Sequence, residues 1–182
     1  VIVLEVARPD FAAADRSTFA DTDLKAAAKG FYLIRDFDPD KPKHGYVLVQ
    51  GSSSTVNLVS VLDRLEQDGV NVRVIACISD ELFQLQSEAY QNSVLPAEAR
   101  YDLMVVTTGT RRVWPIHDVG PLTKEYSLVS DWDDQWLTGG SEADVIAEAH
   151  LDTESIYRGV KRFADEHDTR ISSQTQHLAN LK

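Results

Sequence analysis

Few residues of this 182-residue chain are grouped as chemistry would require. Gly51 is followed by Ser52, Ser53, Ser54 and Thr55, directly after the apolar run YVLVQ and ahead of a helical stripe. A glycine and hydroxyl loop between a strand and a helix is where an open α/β sheet cradles an anion. The loop lacks the glycine pattern of a dinucleotide site, the lysine of a Walker loop and the second glycine of a nucleophile elbow. Hydroxyl capping of the helix is therefore the first reading and anion binding the second. Arg111 and Arg112 follow a second strand end, Gly109 and Thr110. Their planar forks suit a phosphate or carboxylate, but with only two arginines surface ion pairing is the first reading and anion binding the second. His117 beside Asp118 resembles a general-base pair, but neighbours in an extended stretch point to opposite sides. Asp131, Asp133 and Asp134 offer oxygen ligands without the spacing of a calcium loop, which reads as a solvated acidic loop. His44, His117, His150, His167 and His177 show no zinc-ligand spacing. Cys77 lies inside VIACI as a small buried hydrophobe. No complete catalytic constellation forms. Three classes stay open: a small-ligand binding domain, a fragment of an enzyme, and an oligomerisation module.

Composition narrows the partners. The formal net charge of −11 opposes nucleic acid and anionic membranes alike. No apolar run approaches the roughly 18 residues needed to span a bilayer. With 43 % hydrophobic residues the chain can bury the core of one domain. A single cysteine cannot staple a fold, so a reducing cytoplasm is expected. The chain opens on VIVLEV without an initiator methionine, its only methionine being Met104. It is therefore expected to be a piece of a longer protein that begins inside a strand.

The elements that must carry these residues follow from periodicity. FYLIRDF (31–37) reads as a short strand, DPDKPKHG (38–45) as a turn, and YVLVQ (46–50) as a buried strand. The first and third of these are expected to pair antiparallel through the turn. Val56, Leu58, Val59, Val61, Leu62 and Leu65 form a helical stripe, and Gly69 stops it. NVRVIACI (71–78) and YDLMVVTTG (101–109) are further strands, and EYSLVSDW (125–132) is a weaker one. ELFQLQSEAYQNSVLP (81–96) reads as two short amphipathic helical turns stopped by a proline. SEADV opens with a capping box, and DTESIYRGVKRFADEH carries Ile156, Val160, Phe163 and Ala164 on one face. ARPDFAAADRSTFADTDLKAAAKG reads as a polar linker, and the end of the chain as a loosely held polar tail. Strands alternating with helices predict an α/β fold. It is a three-layer αβα sandwich with a mostly parallel sheet and one antiparallel strand.

Several of these stretches resemble the C-terminal domain of transketolases. ELFQLQSEAYQNSVLP is similar to that family's E-L-F turn followed by Q-x-x-x-Y-x-x-S-V-L-P. GFYLIRDF, VLVQGSSSTVNLV, DGVNVRVIACIS and VVTTGTRRVWPIHDVG resemble, in order, its G-x-Y-V-L-x-D strand, its T-G-S-x loop and helix, its next strand, and a strand end followed by tryptophan and V-G. Two departures stand out. Thr107 occupies the place of a family glutamate, and WLTGGSEAD replaces F-G-x-S-A-P.

The resemblance implies three parts: residues 1–30 as the end of a preceding pyrimidine-binding domain and a linker, 31–167 as the C-terminal-like domain, and 168–182 as the tail. It implies an intact enzyme that transfers a two-carbon ketol unit between sugar phosphates. Thiamine diphosphate and magnesium would lie in other domains, and this chain would contribute to architecture and to a homodimer. VIVLEVARPDF resembles the family's L-S-R-Q-N-L, which implies that Arg8 binds the substrate phosphate. The alternatives are the same domain from a 2-oxoacid dehydrogenase E1 component, or an independent regulatory domain with Ser52, Ser53, Ser54, Arg111 and Arg112 as its anion site.

Overall fold

The computed structural model describes residues 12–110, 125–130, 137 and 139–180. In chain order the elements are β1 (Phe31–Arg35), β2 (Tyr46–Gln50), α1 (Ser52–Gln67), β3 (Arg73–Cys77), α2 (Asp80–Gln84), α3 (Glu88–Val94), β4 (Leu103–Thr107), β5 (Leu128–Val129), α4 (Glu142–Glu148), α5 (Thr153–Asp165) and α6 (His167–Ala179). Successive strand residues point to opposite faces, so the continuous apolar runs of β2, β3 and β4 must be covered twice. Val47, Val49, Val74, Ala76, Met104 and Val106 join one core, closed by Leu58, Leu62 and Leu65 of α1 and by Ile156, Val160 and Phe163 of α5. Leu48, Ile75, Cys77, Leu103 and Val105 join the other, closed by Phe83 of α2 and Val94 of α3. The three layers are those expected.

The sheet order is β1-β3-β2-β4-β5. β2 runs parallel to β3 and β4, and β4 parallel to β5. One strand is antiparallel, as expected, but its partner is not β2. β1 pairs with β3, Phe31 opposite Cys77 and Leu33 opposite Ile75. The anticipated hairpin is therefore replaced by a connection that crosses the amino end of β3. Asn71 holds this crossing. Its side-chain amide donates to the carbonyls of Asp38 (3.0 Å), Lys41 (3.2 Å) and Pro42 (3.0 Å), and its side-chain oxygen accepts from the Asp38 N–H (2.9 Å). The physical reason is burial. β3 is apolar on both faces and takes a neighbour on each side, whereas a β1–β2 hairpin would leave one flank of β3 unpaired.

Residues 12–30 are more than a linker. Phe19 and Ala26 are buried, and the Ala20 and Asp21 N–H groups donate to the carbonyls of Ile34 (2.8 Å) and Leu33 (3.1 Å), along the outer edge of β1. At the far edge the strand β5 is only two residues long, and the Ser127 hydroxyl accepts from the Val105 N–H at 3.1 Å. The expected polar tail is corrected as well: residues 167–179 form α6, and Arg170 within it is 2 % exposed. Its lack of apolar periodicity hid it, because its anchor is a charged side chain.

The stretch 81–96 forms the two expected short helices. Ser79 caps α2 by accepting from the Leu82 N–H (3.2 Å), and Ser87 caps α3 by accepting from the Tyr90 N–H (3.3 Å). Gln91 donates to the carbonyls of Gln84 (3.1 Å) and Gln86 (2.9 Å), bracing one helix on the other. The Tyr90 hydroxyl donates to the Phe31 carbonyl at 2.7 Å. Ser87, Tyr90 and Gln91 are thus occupied by caps and braces.

Candidate functional site

In an open α/β sheet, ligands bind at the carboxyl ends of the strands where the order reverses. Here that point lies between β2 and β4. From it the Gly51 loop leads into α1, and Thr107, Thr108 and Gly109 leave β4. Gly51 has φ +95°, and a Cβ on it would lie 2.4 Å from the Thr108 hydroxyl, so the two loops touch. Gly51, not a serine, occupies the N-cap position of α1, and no side chain caps that end. The serines therefore sit in the first turn, and the hydroxyls of Ser54 and Thr55 meet backbone carbonyls. The Ser54 hydroxyl donates to the Gln50 carbonyl and to the Gly51 carbonyl (3.1 Å), and the Thr55 hydroxyl to the Gly51 carbonyl (2.7 Å). The expected hydroxyl capping is thus corrected. Ser54 is fully buried and committed, Ser53 is half-buried, and Ser52 is exposed at the mouth.

Across the crevice, Thr107 is fully buried. Its hydroxyl donates to the Gln50 side-chain oxygen (3.0 Å) and accepts from the Gly109 N–H (2.9 Å). The Ser130 hydroxyl donates to the Gly109 carbonyl at 3.2 Å. The floor of the crevice is therefore a closed ladder of hydroxyl, amide and backbone groups. Cys77, at the end of β3, has its thiol pushed well above the usual range by burial, so it offers no thiolate.

Among the described residues, a group of ionisable side chains lies at the opposite, amino edge. Asp102, just ahead of β4, accepts from Arg170 Nε at 3.1 Å and from a second guanidinium nitrogen. Arg170 also donates to the carbonyls of His44 (3.3 Å) and Phe163, and its guanidinium stacks 3.7 Å above the Phe163 ring. His167 Nε2 lies 3.1 Å from the other Asp102 oxygen. His44 Nδ1 accepts from the Asn71 N–H at 3.0 Å, which leaves that nitrogen without a proton. Burial chiefly, and the neighbouring His167 next, hold His44 below the usual histidine range. Asp68, Asp165 and Asp168 line the same cavity of about 240 Å³ as the two histidines. The arrangement lacks a nucleophile. It fastens α6 to the sheet. Only the His167 and Arg170 spacing of three, one helical face, hinted at it in the sequence.

Residues 30–120 match the transketolase-like TK C-terminal domain family. The chain belongs to that family. This transketolase-like domain is 29 % identical to the chloroplastic transketolase of Zea mays over 168 residues, covering 90 % of the chain but 23 % of that relative. It spans about a quarter of such a relative's length. Two solved structures share the fold. A transketolase from Leishmania mexicana gives a TM-score of 0.59 at 19 % identity, with 82 % of this chain and 20 % of that one covered. A Pichia stipitis transketolase in complex with sedoheptulose-7-phosphate gives 0.53 at 21 % identity, covering 78 % and 18 %.

Of the site residues expected in this transketolase-like domain, only Ser52, Ser53 and Ser54 fall in the described part. Arg8, Arg111, Arg112, the His117 and Asp118 pair, and Asp131, Asp133 and Asp134 lie outside it.

Proposed function

We propose that the chain is the C-terminal part of a transketolase-like, thiamine diphosphate-dependent enzyme that transfers a two-carbon ketol unit between sugar phosphates. Its own contribution is architectural, within the longer polypeptide and at a homodimer interface, and it carries no complete active site. One observation supports this most. At the switch point, where an independent binding domain would keep polar groups for a ligand, Thr107, Ser54, Thr55 and Gly109 hydrogen-bond to the fold itself. That favours a packing role over the regulatory anion-binding alternative.

The cofactor belongs elsewhere in this reading. Thiamine diphosphate supplies the carbon nucleophile, and its diphosphate is held through magnesium with oxygen ligands in near-octahedral order. Among the described residues, no group of three or more His, Cys, Asp or Glu side chains is positioned for a metal ion. No step is assigned to the described residues. Arg8 is the residue of this chain proposed to meet substrate, through its phosphate. The sugar phosphate bound by the Pichia stipitis relative is consistent with that substrate class. Among the described residues no helix is long and apolar enough to cross a membrane. We place the intact enzyme in the cytoplasm, on the strength of the single buried cysteine.

The test pairs two measurements. Calorimetry of the 182-residue chain with thiamine diphosphate and magnesium is expected to give no micromolar binding. The intact polypeptide is expected to turn over xylulose and ribose phosphates and to leave 2-oxoacids untouched. Micromolar, magnesium-dependent binding by the chain alone would assign it to the wrong part of the enzyme. Turnover of a 2-oxoacid would move it to the E1 relatives.

A further inference from the structure

Separate parts of the domain meet at His44. Its N–H donates to the Asn71 carbonyl at 2.8 Å, and its Nδ1 accepts from the Asn71 N–H at 3.0 Å. The two residues thus close a hydrogen-bonded ring between the end of the β1–β2 connection and the residues that lead into β3. Asn71 is also the residue whose side chain gathers the carbonyls of Asp38, Lys41 and Pro42. The His44 carbonyl accepts from Arg170 of α6 at 3.3 Å. Gly45 follows with φ +100°, and a Cβ on it would lie 2.7 Å from an Asp102 oxygen, so the backbone beside His44 is tightly packed. The imidazole itself borders the cavity of about 240 Å³.

A neutral imidazole holds one proton, and the bond from Asn71 requires that proton to sit on Nε2. A second proton goes on Nδ1, where it would point at the Asn71 N–H. Donor then faces donor, and the bond cannot persist with the ring in place. The surrounding charges decide where the ring goes. α6 presents His167, its ring 6.0 Å away, together with Asp168 and Arg170; α5 ends on Asp165, and the turn after α1 supplies Asp68. Asp102, ahead of β4, is taken by Arg170 and His167, and Asp68 accepts from the Tyr157 hydroxyl. On the connection itself Lys43 lies over the Phe37 ring at 5.1 Å, and Lys41 pairs with Asp38 at 3.0 Å. The carboxylates with capacity to spare are Asp165, which meets Lys161 at 2.8 Å, and the fully exposed Asp168. In the closed position burial first, then His167 and Arg170, disfavour a charged His44; Asp168 and Asp165 favour it, and the balance lies with the neutral ring.

We propose that His44 is a two-position acid switch: its neutral ring ties Asn71 to the β1–β2 connection, and its protonated ring leaves Asn71 and turns into the cavity toward Asp165 and Asp168. The switch is closed at neutral pH. Acid loosens the connection at the amino end of β3, while Arg170 keeps α6 on Asp102. The switch does not depend on the ketol-transfer reading.

Backbone hydrogen exchange of the intact polypeptide, followed by mass spectrometry from pH 7.5 to pH 5, tests this. Each rate is divided by that of the unprotected amide at the same pH. Peptides carrying the His44 and Asn71 N–H groups are expected to lose protection about tenfold or more, and peptides from α1 and α6 to stay within about twofold. Exchange of the His44 ring C–H in the same samples gives its protonation midpoint, expected below about 6.5 and coincident with the loss of protection. H44N, which keeps an acceptor for Asn71 but takes up no proton, is expected to hold its protection across the range. Unchanged protection in the parent, loss spread evenly over α1 and α6, or loss in H44N equal to the parent's would overturn the switch. Should H44N lack protection throughout at pH 7.5, the parent decides alone: a His44 midpoint about one pH unit or more away from the opening overturns the switch, and coincidence upholds it.

Discussion

Replacing Asp102 with Asn keeps the shape of the side chain and removes its charge, which isolates the pair that fastens α6. The Arg170 side chain is 1 % exposed and that of Asp102 16 %. In the variant, a guanidinium would remain in the interior with the carbonyls of His44 and Phe163 as acceptors but no counter-charge. Breaking one partner of a buried pair costs about 3–5 kcal/mol. Both guanidinium bonds run to one Asp102 oxygen, an acceptor that Asn retains, so the cost is that of the lost counter-charge. For a domain of this size a loss of 1 kcal/mol lowers Tm by roughly 2–4 °C, so D102N is expected to melt about 6–20 °C below the parent. Thermal unfolding followed by circular dichroism at pH 7.5 measures it. Replacing both partners with apolar residues, D102L with R170M, is expected to cost less than the sum of the single changes, because neither charge is then stranded. D102N within about 0.5 kcal/mol of the parent would refute this account of the anchor. Strict additivity in the double variant would refute it as well.

Three further outcomes are expected. His44 is held below its ordinary range, so the fold favours its neutral form. That stability is full above the ordinary pKa of about 6.5 and is lost as pH falls through the lowered folded value. The urea midpoint should therefore fall between pH 7 and pH 5, and H44N, which keeps an acceptor for Asn71 without titrating, should flatten the slope; equal slopes would exclude His44 as the source. Gly30 (φ +90°) and Gly69 (φ +79°) both sit in the left-handed region, but a Cβ meets backbone at Gly30 and nothing within 4 Å at Gly69. G69A should cost about 1–2 kcal/mol from conformation alone and G30A distinctly more, as denaturant titration of both would show. In the intact enzyme, R8A should raise KM for phosphorylated sugars by roughly ten- to a hundred-fold, the equivalent of one charged hydrogen bond of about 1.5–3 kcal/mol, with little change for unphosphorylated ones. Equal changes for both sugar types would make Arg8 structural.

Much of the fold was legible because its signals are local. The apolar runs VLV, VIAC and LMVV became the centres of the three strands buried on both faces. The stripe through Leu58, Leu62 and Leu65 became α1, and Ser141 accepts from the Asp144 N–H as its capping pattern predicts. What was missed depends on partners distant in sequence. DPDKPKHG has the chemistry of a hairpin turn, and nothing nearby tells that Asn71 will gather three of its carbonyls. α6 has no apolar stripe because Arg170 does its anchoring, through Asp102 and 68 residues back along the chain. The serine loop misled for a subtler reason. A glycine able to take φ +95° sits one position ahead and assumes the cap position, and the Ser54 and Thr55 hydroxyls turn toward carbonyls.

The two borders of the sheet constrain how this domain can meet any other protein. On one side the backbone of residues 20 and 21 occupies the outer hydrogen-bonding positions of β1, and on the other the described edge strand is two residues long. An exposed, long edge is what lets sheets of separate molecules join into one. With that route blunted at both ends, recognition of this domain has to be written in side chains on its helical layers. Such recognition can be retuned one substitution at a time without disturbing the strands beneath. It also spares the protein the edge-to-edge growth that leads to fibres.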